Sequence, residues 1–222
     1  MKLFFHYCLP SFNNCYILGT DDPESPNSGT AHQDAAHRDA AHLDAIIIDP
    51  GVMDEDILNF IEKNDYTLRG VLLTHDHYSH VRGLRTLKRI YDAEIYAVNP
   101  LILDQQATLI RDGDILTVGP FCVEVISVPG HSSDSTVFKI GNLLFTGDAI
   151  NAGLVGTTAS SYGAAIQMTA LRSKILSLPG DCIILPGHGP PTSLDAERRF
   201  NAGIQLFEQR SKRRPSFTVN LF

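Results

Sequence analysis

Short apolar runs alternate along this chain with polar segments rich in Gly, Pro, Asn and Asp. Runs of four to eight β-branched, aliphatic and aromatic residues bounded in this way are typical of buried strands. They predict strands at residues 2–9, 15–19, 45–48, 70–73, 94–98, 116–118, 122–128, 136–140, 143–145 and 182–185. Apolar residues at helical spacing predict helices at residues 52–64, 81–91 and 161–178 and around 196–200, with Ser79 as the N-cap of the second. Because the strands fall in two groups associated with helices, we expect two sheets with helices outside them.

Composition narrows the class of protein. With 222 residues, of which 43% are hydrophobic, the chain can bury one substantial core. A net charge of -7 and a pI near 5.6 argue against a nucleic-acid-binding surface. No apolar stretch approaches 18 residues, and the apolar start of the chain is interrupted too early for a signal peptide. The four scattered cysteines form no CxxC pair and indicate reduced thiols. These features favour a soluble cytoplasmic protein without a membrane partner.

One segment fits neither a strand nor a helix. Residues 21–30 are rich in Pro, Ser and Asp, and three copies of a five-residue unit, Ala-His-X-Asp-Ala, follow over residues 31–45. A period of five buries little apolar surface on either a strand or a helix. We interpret residues 21–44 as a low-complexity insertion in a hairpin loop. A loose metal-binding role is the alternative, which unchanged metal content after deletion of these residues would exclude.

A histidine-rich motif follows the strand predicted at residues 70–73. Its sequence, over residues 74–80, is Thr-His-Asp-His-Tyr-Ser-His, so it carries His75, His77 and His80. In extended backbone, residues two apart point the same way, and His75 and His77 can therefore converge on one ion. Imidazole is a common ligand of zinc and iron. The alternative is a polar turn that happens to be rich in histidine.

Three further sites repeat this signature of a ligand-type residue directly after an apolar strand and beside Gly or Pro. They are His131, Asp148 and His188. Each alone could be a structural turn. Four such strand ends, which together supply five of the nine histidines and one aspartate, favour a shared metal site.

As a set, these motifs resemble the metallo-β-lactamase superfamily, whose HxHxDH motif corresponds to residues 75–80. Residues 145–148, 186–192 and 197–201 are most similar to the small glyoxalase II (hydroxyacylglutathione hydrolase) branch. The resemblance implies an α/β fold, the four-layer αββα sandwich, with two mixed sheets flanked by helices. It covers residues 1–204, interrupted by the insertion at 21–44, and leaves residues 205–222 as a C-terminal tail.

The resemblance also implies a metal-dependent hydrolase. Two groups of ligands share an aspartate: His75, His77, His131 and Asp148 for one ion, and Asp148, His80 and His188 for a second. Zinc is expected, with iron or manganese possible, and Asp148 is also expected to be catalytic. Hydroxide formed at the metal would attack a thioester or small ester carbonyl. The partner implied is a small molecule, and the oligomeric state is left open.

The chain departs from the family pattern at several positions. Ser79 replaces the motif's aspartate, which predicts a weakened or absent second ion, and Asp76 should point away from the site. Arg82 replaces a glycine and either pairs with an anionic substrate group or lies on the helix surface. Residues 156–159 read Gly-Thr-Thr-Ala where related enzymes carry Gly-Arg-Thr-Asp. Only residues 205–222 follow the shared part, so glutathione specificity is not implied.

Two readings from other classes stay open. One is a mononuclear iron oxidoreductase resembling the persulfide dioxygenases, in which His75, His131 and Asp148 would be the ligands. The loss of an acidic ligand at Ser79 suits one metal, whereas the missing arginine near Thr157 counts against this class. The other reading is a catalytically decayed member of the superfamily that is retained as a binding module.

Overall fold

The computed structural model describes residues 1–21 and 43–212. The repeat predicted as an insertion therefore lies almost wholly outside the described residues. In chain order the described strands are β1 (Lys2–Cys8), β2 (Asn13–Gly19), β3 (Leu43–Ile48), β4 (Tyr66–Leu72), β5 (Glu94–Ala97), β6 (Leu101–Ile102), β7 (Gln105–Gln106), β8 (Thr108–Leu109), β9 (Ile115–Val118), β10 (Phe121–Ser127), β11 (Thr136–Ile140), β12 (Leu143–Gly147), β13 (Ile150–Asn151), β14 (Leu154–Val155), β15 (Ile183–Pro186) and β16 (Thr192–Ser193). The helices are α1 (Glu55–Lys63), α2 (Tyr78–Val81), α3 (Leu84–Ile90), α4 (Ser161–Ala170), α5 (Leu194–Phe200) and α6 (Ala202–Lys212), and a π-helical turn, Leu171–Ile175, continues α4.

The strands form two six-stranded mixed sheets. The first has the order β1-β2-β3-β4-β5-β8, and the second has the order β16-β15-β12-β11-β10-β9. In the first sheet β3, β4, β5 and β8 run parallel, while β1 and β2 are antiparallel additions at one side. In the second sheet β12 and β15 are parallel, and the other pairs are antiparallel. Two small hairpins, β6–β7 and β13–β14, stand apart from them.

Three apolar layers show how sheets and helices stack. Between the first sheet and helices α1 to α3, Ile47 and Val71 pack with Ile57. The next residues along the same strands face the second sheet, so the central layer contains Ile46 and Ile48 with residues of β10, β11 and β12. A third cluster joins the far face of the second sheet to α4, the π-helical turn and α5. Because both faces of the sheets are covered, strands such as β3 read as continuous apolar runs. The αββα fold predicted from the sequence is confirmed.

The second predicted helix differs from the structure in its start and its continuity. The N-cap is His77, whose extended backbone (φ -60°, ψ 137°) precedes the helix, and Ser79 lies inside α2. The prediction of Ser79 as N-cap was therefore wrong. The helix is also broken at Gly83, whose N–H donates to the carbonyl of Pro50 at 2.8 Å. A side chain at Gly83 would collide with that carbonyl, so the break follows from a close approach between distant segments.

Two further expectations concern the ends of the fold and its cysteines. Helix α6 runs past residue 204, so the first residues of the predicted tail are helical; the division of the chain into a domain and a tail stays a prediction. Cys8, Cys15 and Cys182 are buried free thiols, and Cys122 is exposed. Across the described residues, no helix has the length and apolar character needed to span a membrane.

Candidate metal centre

The predicted ligand residues lie at one edge of the sandwich. Strands β10, β12 and β15 run in the same direction, so the loops that follow them meet at one edge of the second sheet. The loop after β4 joins them, because the N–H of Thr136 donates to the carbonyl of Thr74 at 2.8 Å. A second link between the sheets is the bond from the N–H of Asn14 to the carbonyl of Gly187, at 2.7 Å. Residues far apart in sequence are thus held together.

The structure brings all six predicted site residues together. Two groups have ligand atoms within 4.8 Å of one another: His75, His77, His131 and Asp148 form the first group, and His80, Asp148 and His188 form the second. Asp148 belongs to both. Its Oδ2 lies 3.4 Å from His131 Nε2, 3.5 Å from His188 Nε2 and 3.8 Å from His75 Nε2, and its Oδ1 lies 3.5 Å from His80 Nε2.

Hydrogen bonds at the outer side of the rings orient three of these histidines. His131 Nδ1 donates to the carbonyl of Thr157 at 2.8 Å, His188 Nδ1 to the carbonyl of Phe12 at 2.6 Å, and His80 Nδ1 to Asp49 Oδ2 at 2.9 Å. Because carbonyl and carboxylate oxygens only accept, each Nδ1 must carry a proton. When such a ring is neutral, its Nε2 carries a lone pair that can bind a metal ion. In all three histidines this Nε2 faces Asp148.

A relay through Thr74 orients His75 in the same sense. The Thr74 hydroxyl donates to Asp49 Oδ2 at 2.6 Å, so its oxygen can accept from His75 Nδ1, which lies 3.0 Å away. Asp49 Oδ1 accepts the backbone N–H of Thr74 at 2.8 Å. The buried Asp49 carboxylate therefore holds one histidine of each group, His80 directly and His75 through a hydroxyl.

Three buried atoms inside the cluster have no hydrogen-bond partner in the described part of the chain: His75 Nε2, His80 Nε2 and Asp148 Oδ1. Leaving buried polar atoms unpaired costs about 1–3 kcal/mol each, so such groups normally mark a bound water or ion. His75 belongs to the first ligand group, His80 to the second and Asp148 to both, and imidazole nitrogens with a carboxylate oxygen suit a divalent cation. The residues present therefore fit the metal that the resemblance implies.

The electrostatics separate the two groups. Burial, followed by repulsion from His80, lowers the pKa of His75 to about 3, so this ring is neutral. Burial also opposes the charge on His80, but Asp49 and Asp148 outweigh it and raise the pKa of His80 to about 10. Burial would raise the pKa of Asp148, yet its contacts with His80, and then the charge of His188, hold that pKa well below its usual range. Asp148 is therefore anionic at neutral pH.

Sequence reasoning missed Asp49. It follows the apolar residues 45–48 and precedes Pro50 and Gly51, the same strand-end signature that identified His131 and His188, but Asp-Pro-Gly after a strand is also typical of a simple turn. Its backbone has a positive φ of 51°, which Asp tolerates better than most residues. The signal was present in the sequence, and only the contact with His80, 31 residues away, distinguishes it from an ordinary turn.

Asp76 points away from the cluster, as strand alternation predicted. Its carboxylate accepts from Asn99 Nδ2 at 2.7 Å. Its backbone N–H donates to Asp134 Oδ2 at 2.9 Å, which fixes the backbone between His75 and His77. Asp134, which sequence reasoning also missed, is thus a buried support of this loop.

An αββα sandwich with histidines and a shared aspartate at one edge defines a metal-binding fold class. The sequence model of the family described as the metallo-beta-lactamase superfamily matches residues 43–103. The hydroxyacylglutathione hydrolase GloC of Haemophilus influenzae is 31% identical over 171 residues, covering 66% of this chain and 81% of that protein. The chain belongs to the metallo-β-lactamase superfamily.

Two solved structures agree with this assignment. The crystal structure of ETHE1 from Myxococcus xanthus matches with a TM-score of 0.74 at 24% identity, covering 97% of this chain and 93% of that one, and it shows the shared fold. The structure of TTHA1623 in a di-iron-bound form matches with a TM-score of 0.67 at 25% identity, covering 90% of this chain and 98% of that one.

Proposed function

We propose that this protein is a metal-dependent hydrolase of thioesters or small esters, similar to glyoxalase II. The observation that carries the proposal is that two buried nitrogens, His75 Nε2 and His80 Nε2, face Asp148 and have no hydrogen-bond partner among the described residues. On the outer side of the rings, every ligand histidine except His77 has its nitrogen bonded to a fixed acceptor or hydroxyl. The name of GloC, a hydroxyacylglutathione hydrolase, supports a thioester as the substrate class.

We assign one ion to the first group, His75, His77, His131 and Asp148. We assign a weaker site to the second group, His80, Asp148 and His188, which has three ligands because Ser79 stands at the fourth position. Zinc suits this mixture of imidazole and carboxylate, and iron or manganese would also be accepted. When bound, such an ion lowers the pKa of water and polarises a carbonyl.

The chain's own residues prepare this chemistry. Asp49 and the carbonyls of Thr157 and Phe12 fix the ring tautomers of four histidines, so that these rings do not have to rotate when a ligand arrives. They are His75, His80, His131 and His188. Asp148 supplies a negative charge to both groups and remains ionised despite its burial. We give it the catalytic role of holding the reacting water in place by accepting one of its protons in a hydrogen bond. A small-molecule substrate would approach from the exposed rim of the sandwich edge.

The experiment combines metal analysis with turnover. Protein purified without a polyhistidine tag should contain a first-row metal, and zinc-, iron- and manganese-loaded samples should be assayed with S-lactoylglutathione and with the thioester S-lactoyl-N-acetylcysteamine. The variant Asp148→Asn should lose bound metal and at least about a hundredfold in kcat/KM, because direct ligands matter more than the outer contacts worth 10- to 100-fold. The control Asp104→Asn, at an exposed carboxylate that pairs with Arg85, should match the parent. Intact thioesters at full metal loading would refute the hydrolase and favour a binding module.

A mononuclear iron oxidoreductase is the second candidate. It is favoured because the second group has three ligands and binds an ion weakly, which would leave one metal in the first group. It requires oxygen uptake on glutathione persulfide by the iron-loaded protein. Uptake without thioester hydrolysis would replace the first proposal. The threonine at position 157, where the persulfide-dioxygenase pattern has arginine, makes hydrolysis the better supported activity.

A further inference from the structure

The turn between β1 and β2 links the metal centre to an exposed arginine. At one end of the turn, the carbonyl of Phe12 accepts the hydrogen bond from His188 Nδ1 at 2.6 Å. Two residues earlier, the carbonyl of Pro10 accepts a long hydrogen bond of 3.3 Å from Arg82 Nη1. The same short turn therefore contacts a ligand-type histidine and a guanidinium.

This connection limits how far Arg82 can lie from the centre. Two residues of extended chain span at most about 7 Å, so the guanidinium lies within about 13 Å of His188 Nδ1. Along the chain, Arg82 directly follows α2, two residues after His80. Both routes keep the exposed Arg82 side chain close to the cluster, and we call the surface that contains Arg82, Phe12 and Tyr78 the rim.

Arg82 has donors left for a ligand. A guanidinium offers five N–H donors, and the long contact with Pro10 occupies one of them. None of the ion pairs in the described part of the chain involves Arg82, whereas Arg85, one residue inside the following helix, pairs with Asp104 at 2.9 Å. Arg89 is exposed as well, but it lies in the last turn of α3, where no contact in the described residues links it to the centre.

Exposed aromatic rings complete this rim. Phe12 is 64% exposed and Tyr78, adjacent to His77, is 65% exposed. Phe12 has a φ of 56°, which is uncommon for a bulky residue and costs about 1–2 kcal/mol. In this conformation the Phe12 carbonyl is bonded to His188 while the ring remains in solvent. The rim thus offers exposed apolar surface together with a positive charge that forms no ion pair within the described residues.

We propose that Arg82 and the surrounding rim form a recognition site for an anionic group, a carboxylate or a phosphate, on the thiol part of the substrate. The inference rests on the proposed function and extends it: the hydrolysed carbonyl lies at the metal centre, and the anionic group lies at Arg82, whose guanidinium is within about 13 Å of His188 Nδ1. A planar guanidinium binds either anion through paired hydrogen bonds.

The kinetic test uses two variants with the same change in charge, Arg82→Gln and the control Arg89→Gln, in metal-loaded protein. Two thioesters carry the same acyl group: S-lactoylglutathione is anionic, and S-lactoyl-N-acetylcysteamine is neutral. In Arg82→Gln the ratio of the anionic to the neutral KM should rise about tenfold, and in Arg89→Gln it should stay at the parent value. S-acetyl phosphopantetheine provides the phosphate: an effect of Arg82→Gln on this substrate alone would identify phosphate as the anion. Added salt should raise the anionic KM of the parent and of Arg82→Lys more than that of Arg82→Gln.

A binding measurement keeps this inference separate from the hydrolase proposal. S-methylglutathione is a thioether that cannot be hydrolysed. Calorimetry should show that it binds about tenfold more weakly to Arg82→Gln than to Arg89→Gln. The diethyl ester of this ligand lacks the carboxylate charges and should bind the two variants equally. Binding that depends on Arg82 in a protein without turnover would leave the anion site standing and remove the hydrolase. Turnover with identical behaviour of the two variants towards both anions would remove the anion site and leave the hydrolase.

Discussion

Replacing Asp49 with asparagine tests whether one buried carboxylate organises both ligand groups. The Asp49 side chain accepts three hydrogen bonds, from the backbone N–H and the hydroxyl of Thr74 and from His80 Nδ1. An amide keeps one accepting oxygen. In one orientation the N–H₂ group of the new amide would face the Thr74 N–H. In the other it would face the Thr74 hydroxyl and the His80 ring. In either case at least one donor is left facing another donor.

The size of the effect follows from burial. Asp49 is 2% exposed and the His80 side chain is 0% exposed, so water cannot replace the lost acceptor. Removing one partner of a buried charged pair costs about 3–5 kcal/mol. For a protein of this size, each kcal/mol lowers the unfolding temperature by about 2–4 °C, so Asp49→Asn should melt about 6–20 °C below the parent. Metal affinity of the His80 group should fall 10- to 100-fold, the usual consequence of losing an outer contact.

The assay is thermal unfolding followed by circular dichroism, together with metal competition against a chelator. The matched control is Asp54→Asn, which removes a carboxylate that pairs with His6 and caps α1, because asparagine caps a helix nearly as well as aspartate. The control should change the unfolding temperature by less than about 3 °C. If Asp49→Asn behaves like Asp54→Asn in both measurements, the relay through Thr74 does not hold the site together.

Four other predictions concern the second ligand group and the metal. Ser79→Asp should raise the metal-to-protein ratio from near one towards two and increase turnover; elemental analysis that shows no increase would contradict the weakening assigned to this position. Because the pKa of His80 is raised to about 10, an ion that binds His80 must displace a proton, so affinity for the second ion should rise about tenfold per pH unit from pH 7 to near 10. In metal-free protein the charged His80 stabilises the fold because its pKa is raised. This contribution is fully present below about pH 6.5 and is lost as the pH rises through about 10. The loss should be absent when the unfolding of His80→Gln is measured against pH. Protein stripped of metal by a chelator should be about 4 kcal/mol less stable than protein in a free metal concentration about a thousand times Kd. An unchanged unfolding temperature would exclude the cluster as a metal site.

The strand-end signature explains how much of the site could be predicted. His131, Asp148 and His188 follow apolar runs of three strands that run in the same direction in one sheet and end at one edge, so position along the chain was enough to group them. Asp49 carried the same signature, but an aspartate before Pro and Gly is also typical of a turn. Its distinction from a turn depends on contacts with Thr74 and His80, which no local pattern contains.

Errors in the helices have a similar origin. The apolar spacing over residues 81–91 is helical throughout, yet the helix breaks at Gly83 because the carbonyl of Pro50 approaches its backbone. The N-cap depends on the extended backbone of His77, which the loop before α2 imposes, and not on the preference of Ser79 for caps. Local propensity thus identified the elements, while tertiary contacts set their limits.

The bond between Phe12 and His188 joins positions 176 residues apart, so it requires the first hairpin and the last strands to have found each other. Contacts of such long range form slowly, because the entropy of closing a long loop is lost before the contact adds stability. In refolding, full metal affinity should therefore appear only after the first hairpin and the last strands have met. Capture of the ion then reports that the whole chain has assembled, and a partly folded molecule would reach neither the ion nor the activity.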